Sequence, residues 1–238
     1  MNSVCVATYN GERFIEAQLR SILTQIAKDD EVVVSDDGST DRTLEIISSI
    51  GDNRIRIYHS TVHYFRDNFA NALRQAKGKI IFLSDQDDVW LPGKYDRCLV
   101  ELKTADLVCT NAKETDEELH VYNEDFFSVY HSGKGVIKNS LNNTYYGACM
   151  AFRRELLDSA LPFPPTHEIG HDVWLGLVAE MTGKVRFIDT PYLLYRRHQE
   201  SVTKTKHLLT RSKRPLLRKI WSRVVMLYYV CKFKIKHG

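Results

Sequence analysis

Short apolar runs and stretches of helical period alternate along the first third of the chain. Val4 to Thr8 forms an apolar run, Tyr9, Asn10 and Gly11 make a turn, and Phe14, Ile15, Leu19, Ile22, Leu23 and Ile26 then recur at helical spacing. The unit repeats: Glu31 to Ser35 is a strand, Asp36 to Asp41 a polar loop, and Leu44, Ile47 and Ile50 share one helix face, with Ser39, Thr40 or Asp41 as its cap. A third strand fits Arg54 to His59, a helix fits Asn68 to Ala76, and a fourth strand ends at Asp85. Strands alternating with helices over short connections predict an α/β fold, a parallel sheet with helices on both faces.

Beyond this region the strand candidates are Leu107 to Asn111, Cys149 to Arg153, Val185 to Asp189 and Tyr192 to Arg196. The stretch from Ala112 to Asn143 has weak periodicity and is too long for an ordinary connection, which predicts a functional loop region. Its aromatic residues and their neighbours, Tyr122, Phe126, Phe127, Tyr130, Tyr145 and Tyr146, suit either stacking on a ligand or a core.

The run Ile80, Ile81, Phe82, Leu83 is continuous, as in a strand buried on both faces, and ends in Ser84, Asp85, Gln86, Asp87, Asp88. Ligands of open α/β sheets gather beyond the carboxyl ends of strands. Carboxylates this dense suit a hard divalent cation that also holds a phosphate, although a solvated acidic turn has the same composition. The loop Ser35, Asp36, Asp37, Gly38, Ser39, Thr40, Asp41 would lie on the same edge, beside Ala7, Thr8, Tyr9 and Asn10 after the first strand. Two such loops can bracket a base and ribose.

The formal charge of +3 hides a division. Residues 201–238 hold 11 of the 33 Lys and Arg and no acidic residue, so residues 1–200, with 22 basic and 30 acidic groups, carry −8. Arg211, Lys213, Arg214, Arg218, Lys219, Arg223, Lys232, Lys234 and Lys236 interleave with Leu216, Leu217, Ile220, Trp221, Val224, Val225, Leu227, Tyr228 and Tyr229. That pattern predicts a basic amphipathic helix on an anionic membrane surface; the acidic body argues against nucleic acid as partner. Five cysteines without CxxC spacing, no leader-like N-terminus and no long apolar window predict a cytoplasmic protein at the inner membrane face.

Taken together, ATYNGERFIEAQLRSIL, VVVSDDGSTDRTLEII and GKIIFLSDQDDVWLPGK resemble the nucleotide-binding half of family 2 glycosyltransferases, which have the GT-A fold. GACMAFRREL, GHDVWLGLVAE and PYLLYRRHQESVT resemble the acceptor half of bacterial members, especially rhamnosyltransferase-like enzymes of surface polysaccharide assembly. The resemblance implies a catalytic domain over 1–203 and a tail over 204–238. It also implies a metal-dependent, inverting transfer from a UDP- or dTDP-linked sugar to a glycan or lipid-linked acceptor. Residue by residue, it places Thr8, Asp36, Asp37 and Asp85 at the donor nucleotide, Asp87 with Asp85 at Mn²⁺ or Mg²⁺, and Asp172 as catalytic base. His198 matches a metal-completing histidine in some relatives, and an imidazole would favour Mn²⁺. Arg196 and Arg197 suit forked contacts to the diphosphate. His171 stands where those enzymes often carry Glu. A helix N-terminus would depress the Asp172 carboxyl.

Two other readings fit parts of the chain. Asp85, Gln86, Asp87, Asp88, Val89, with Thr110 and Asn111, match motifs of haloacid dehalogenase-like phosphatases but leave residues 1–78 unexplained. A non-catalytic membrane-surface sugar-binding subunit would not require the full set Asp37, Asp85, Asp87 and Asp172.

Overall fold

The computed structural model describes residues 1–198 and 215–237. Strands β1 (Ser3–Thr8), β2 (Glu31–Asp36), β3 (Ile55–His59) and β4 (Ile80–Asp85) form a parallel layer in the order β3-β2-β1-β4. Val4, Cys5, Val6, Val32, Val33, Val34, Ile81, Phe82 and Leu83 are all buried. Helices α1 (Ile15–Leu23), α2 (Thr43–Ser49) and α3 (Phe65–Gln75) make the crossovers. Strand order runs outward from β1 to β3 and then returns to β4, so right-handed crossovers put α1 and α2 on one face and α3 on the other. The registers align Thr8 with Asp36, Asp36 with His59 and Ala7 with Asp85, which brings three strand-end loops to one edge.

The sheet continues as β8-β6-β9-β5, with β5 (Val89–Trp90), β6 (Leu107–Thr115), β8 (Met150–Arg153) and β9 (Val185–Arg196). Here β8 runs antiparallel to both β4 and β6, while β9 runs parallel to β6. The two expected strands Val185 to Asp189 and Tyr192 to Arg196 are one strand whose register against β6 shifts at Asn111, opposite Pro191. Proline cannot donate to a ladder, so the irregularity falls there.

The expected loop region Ala112 to Asn143 is instead built from the end of β6, β7 (Val121–Asn123), α5 (Phe126–Tyr130) and α6 (Val136–Leu141). Of its aromatic residues, Phe126, Phe127 and Tyr145 are core, and Tyr130 and Tyr146 pack against that core. Gly176 explains the depth of Tyr145, because a Cβ there would stand 2.4 Å from the ring. The Tyr145 hydroxyl donates to Glu180 Oε1 at 2.5 Å.

Helix α4 (Lys94–Glu101) follows β5, α7 (Arg154–Ala160) and α8 (His171–Thr182) lie between β8 and β9, and α9 (Leu216–His237) ends the chain. Met226, Val230 and Phe233 of α9 are buried, and the Phe233 ring meets Trp174 edge-on at 5.7 Å. The tail is thus partly a packing helix. Its opposite side exposes Leu217, Ile220, Trp221, Val224, Tyr228 and Ile235. The boundary at 203/204 and the basic residues Arg211, Lys213 and Arg214 lie outside the described residues. Among the described residues no helix is long and apolar enough to cross a membrane.

Candidate active site

At the carboxyl edge of β2, Asp36 builds its own loop: Oδ1 accepts from the amides of Gly38 and Ser39 at 3.1 and 3.0 Å, and Oδ2 accepts from the Ser39 hydroxyl. Gly38 takes φ +82°, a left-handed value that glycine adopts without Cβ strain. Asp37 Oδ1 accepts from the amides of Val62 and His63, both at 3.1 Å, tying the loop after β3 to the loop after β2. The Thr8 hydroxyl donates to Gln86 Oε1 at 2.6 Å, and the same oxygen accepts from the Tyr9 amide at 2.9 Å. Gln86 Nε2 returns a bond to the Tyr9 carbonyl at 3.1 Å. Gln86, which sequence reasoning passed over between two carboxylates, therefore fastens β1 to the acidic loop. Tyr9, in the polar loop expected after β1, is half-exposed, with its ring 6.5 Å from that of His63.

Asp85, Asp87 and Asp88 each offer a carboxylate oxygen within 4.8 Å of the others. His198 Nε2 lies 2.8 Å from Asp87 Oδ2. Burial, then Asp87 and Asp172, push the Asp85 carboxyl up to about 7. Burial, then Asp87 and Asp85, raise Asp88 as well. Asp88 Oδ1 accepts the Arg196 amide at 2.9 Å, whereas its buried Oδ2 has no hydrogen-bond partner. An orphaned carboxylate oxygen among mutually repelling carboxylates fits a hard divalent cation with oxygen ligands, and His198 adds a nitrogen donor beside Asp87. Lys94 lies beneath, fully buried. Its Nζ donates to the Ala148 carbonyl at 2.6 Å and sits 4.7 Å from the Trp90 ring centroid.

Both arginines of the expected diphosphate fork are engaged within the protein. Arg196 Nε donates to the Asp87 carbonyl at 2.7 Å and Nη1 to the Glu117 carbonyl, and the guanidinium lies 4.6 Å from the Phe14 ring centroid. Arg197 forms a buried pair with Glu114 at 3.1 Å, and its Nη2 also donates to the Tyr130 hydroxyl at 2.9 Å. These contacts hold the acidic loop and β9 together.

Asp172 stands in the first turn of α8, and its Oδ1 accepts from the Val173 amide at 2.7 Å. Burial outweighs the lowering effect of nearby backbone amides and raises the carboxyl to about 6. The expected depression by the helix N-terminus is therefore overcome by desolvation. Gly147 is the hinge of this arrangement: a Cβ there would lie 3.2 Å from His171 Nε2, 3.6 Å from Asp172 Cβ and 3.7 Å from Leu83 Cδ1. The end of β4 and the start of α8 meet across it. His171 is buried, stacked on Phe69 at 4.2 Å, with no hydrogen-bond partner for either ring nitrogen. Burial, then Arg66, lowers it to about 3.

A parallel four-strand layer extended by an antiparallel strand, with acidic and polar loops collected at its carboxyl edge, defines the GT-A architecture of nucleotide-sugar transferases. Within that class the chain belongs to glycosyl transferase family 2, whose model matches residues 3–161. That match takes in most of the N-terminal residues 1–78, which the phosphatase reading left unexplained, and so displaces it; Thr110 bonds the Cys149 carbonyl, and Asn111 bonds Asp125 and the Asp189 carbonyl. The UDP-Glc:α-D-GlcNAc-diphosphoundecaprenol β-1,3-glucosyltransferase WfaP of Escherichia coli is 28% identical over 247 residues, covering 99% of this chain and 94% of the relative. The dTDP-rhamnosyl transferase RfbG of Shigella flexneri is 28% identical over 221 residues, 82% of this chain and 72% of its own length. The chain spans 64% of an uncharacterized glycosyltransferase of Nostoc, alr2836, to which it is 26% identical, with 82% of this chain covered. Staphylococcus aureus TarS in complex with UDP-GlcNAc shares the fold at 21% identity and TM-score 0.67, over 95% of this chain and 66% of that one. A mannosyltransferase of Pyrobaculum calidifontis, in complex with GDP-Man and Mn²⁺, superposes at TM-score 0.62 over all of this chain and 64% of its own, at 22% identity.

Proposed function

We propose that this protein transfers a sugar, with inversion, from a UDP- or dTDP-linked donor to a hydroxyl of a lipid-linked or glycan acceptor in bacterial surface polysaccharide assembly. The observation that carries this reading is the Asp85, Asp87 and Asp88 cluster at the end of β4, together with the raised carboxylate of Asp172, which is near enough to push Asp85 up and starts a helix packed on Leu83 of β4 across Gly147. Asp87, Asp85 and His198 would hold the divalent metal, Mn²⁺ or Mg²⁺, with Asp88 beside them. When bound, that metal offsets charge on the departing diphosphate. Thr8, Asp36, Asp37 and Asp85 shape the nucleotide end, largely by fixing loops, and Tyr9 offers a half-exposed ring for a base. Asp172, ionised above about pH 6, takes the proton of the acceptor hydroxyl as oxygen attacks the anomeric carbon opposite the diphosphate. One base and one displacement give inversion. The WfaP and RfbG relatives make UDP-glucose and dTDP-rhamnose the first donors to try.

The test is a thermal-shift and transfer panel of nucleoside diphosphates and nucleotide sugars with and without Mn²⁺. We expect Mn²⁺-dependent stabilisation by UDP or dTDP, lost in Asp87→Ala. A chain that binds nucleotide yet transfers nothing to any acceptor would be the non-catalytic sugar-binding subunit instead.

The exposed side of α9 sets Leu217, Ile220, Trp221, Val224 and Ile235 among Arg218, Arg223, Lys232, Lys234 and Lys236, which suits an anionic membrane interface at the cytoplasmic face. Because Met226, Val230 and Phe233 are buried, removing the helix would uncover core. Ile220→Glu with Trp221→Glu is the cleaner test, and co-sedimentation with phosphatidylglycerol vesicles should fall several-fold, about 1 kcal/mol or more. Unchanged co-sedimentation would sink the interfacial role.

A further inference from the structure

The start of α3 and the segment leading into α8 are far apart in sequence and clamped together in space. Arg66 is buried; its Nη2 donates to the Pro164 carbonyl at 2.7 Å and its Nη1 to the Thr166 carbonyl. The guanidinium also sits 5.8 Å from the Phe163 ring centroid. Beside this clamp the Tyr64 hydroxyl donates to the His167 carbonyl at 3.1 Å, and the Tyr64 and His167 rings meet edge-on at 4.2 Å. Phe65 is 42% exposed, and its ring lies 6.0 Å from that of His171, the residue before Asp172. The result is an aromatic surface, fixed from beneath, one residue from the candidate base.

Most large apolar side chains near the site are core, whereas Phe65, in ring contact with Tyr64 and His171, keeps much of its surface open beside the candidate base. Under it, His171 is 3% exposed and leaves both ring nitrogens without a partner. A buried polar atom left unpaired costs about 1–3 kcal/mol, a cost that a ligand hydroxyl can remove. A pyranose matches both features. The C–H groups of its less polar face carry the positive edge that the negative face of an aromatic ring attracts, and its rim is hydroxyls.

We propose that the Phe65 ring, beside the unpartnered imidazole of His171 and flanked through Tyr64 by His167, forms the platform on which the acceptor's hexopyranose ring sits. The inference rests on the transferase reading and adds the residues that choose the acceptor. Preorganisation by Arg66 means that little ordering is required when the sugar arrives.

The experiment uses the full chain with UDP, Mn²⁺ and a synthetic GlcNAc-α-diphosphate carrying a short alkyl chain. Saturation-transfer NMR reads which protons of this probe touch the protein, and acceptor KM with UDP-glucose reads the same contact kinetically. We expect saturation of the GlcNAc ring protons, lost in Phe65→Ala and His167→Ala, restored in Phe65→Trp, and an acceptor KM raised about three- to tenfold in Phe65→Ala. The UDP-induced thermal shift should be unchanged in all three variants, which separates the platform from misfolding. Saturation confined to the alkyl chain, or ring saturation equal in Phe65→Ala and wild type, overturns the proposal while the UDP shift leaves the transferase reading standing. Absence of any nucleotide shift in the wild type removes the transferase reading, and the platform with it.

Discussion

The two ends of the site are built in opposite ways. On the nucleotide side, polar groups at the strand ends bond one another: Asp36 closes its own loop, Asp37 pins the loop after β3, and Gln86 joins Thr8 and Tyr9 to the acidic turn. On the proposed acceptor side, His171 is buried with no hydrogen-bond partner, Asp172 is partly buried and accepts the Val173 amide, and their environment comes from packing against Phe69, Gly147 and Leu83. A self-bonded end is rigid before any ligand arrives. An underbonded end leaves its chemistry to be completed by what it binds, and there ionisation follows from burial more than from charge partners.

Three measurements would sharpen or break this contrast. The largest effect belongs to Asp172→Asn, which should lower kcat about 10²–10⁴-fold while leaving the UDP thermal shift intact. Near-normal turnover would take the base role from Asp172. Next is pH. A base raised to about 6 is lost as protons bind, so kcat/KM should fall about tenfold per pH unit below 6 and level off above it. A limb centred near 4 would show that burial does not govern Asp172. Smallest is Gln86→Ala, which should weaken UDP about three- to tenfold, the worth of about 1 kcal/mol of bonding at a preformed loop, with kcat nearly unchanged. An equal loss of kcat would mean that the nucleotide end is not independent of the chemistry.

The nucleotide half was legible because its strands, turns and helices are long enough for periodicity to speak, and its Asp and Gly residues sit at strand ends. Boundaries moved by a few residues: α3 begins at Phe65, three residues before the helix expected from Asn68. The acceptor half was not legible in the same way. Helices α5 and α6 have 5 and 6 residues, too short for a pattern, and Tyr145 or Phe126 looks the same in sequence whether it faces a sugar or Gly176. Gln86 was overlooked because an amide between carboxylates carries no signal until its partners on β1 are known. Phe65 and His167 were overlooked because nothing in sequence joins these two segments; only the fold does, through contacts such as that of Arg66 with Thr166, 100 positions on. Arg196 and Arg197 were noticed for their charge, and the structure gives that charge internal partners, Glu114 among them.

The irregular pairing of β9 with β6 at Asn111 and Pro191 acts as a counting device. A strand advances about 3.3 Å per residue and turns each successive side chain to the other face. The bulge therefore decides whether the imidazole at the end of β9 or its neighbour faces Asp87. Asn111 holds the count by bonding the Asp189 carbonyl at 2.9 Å. Loss or gain of one residue around Pro191 would leave every residue of the acidic cluster unchanged and still point His198 away from it, so the composition of the site depends on arithmetic done in the middle of a strand.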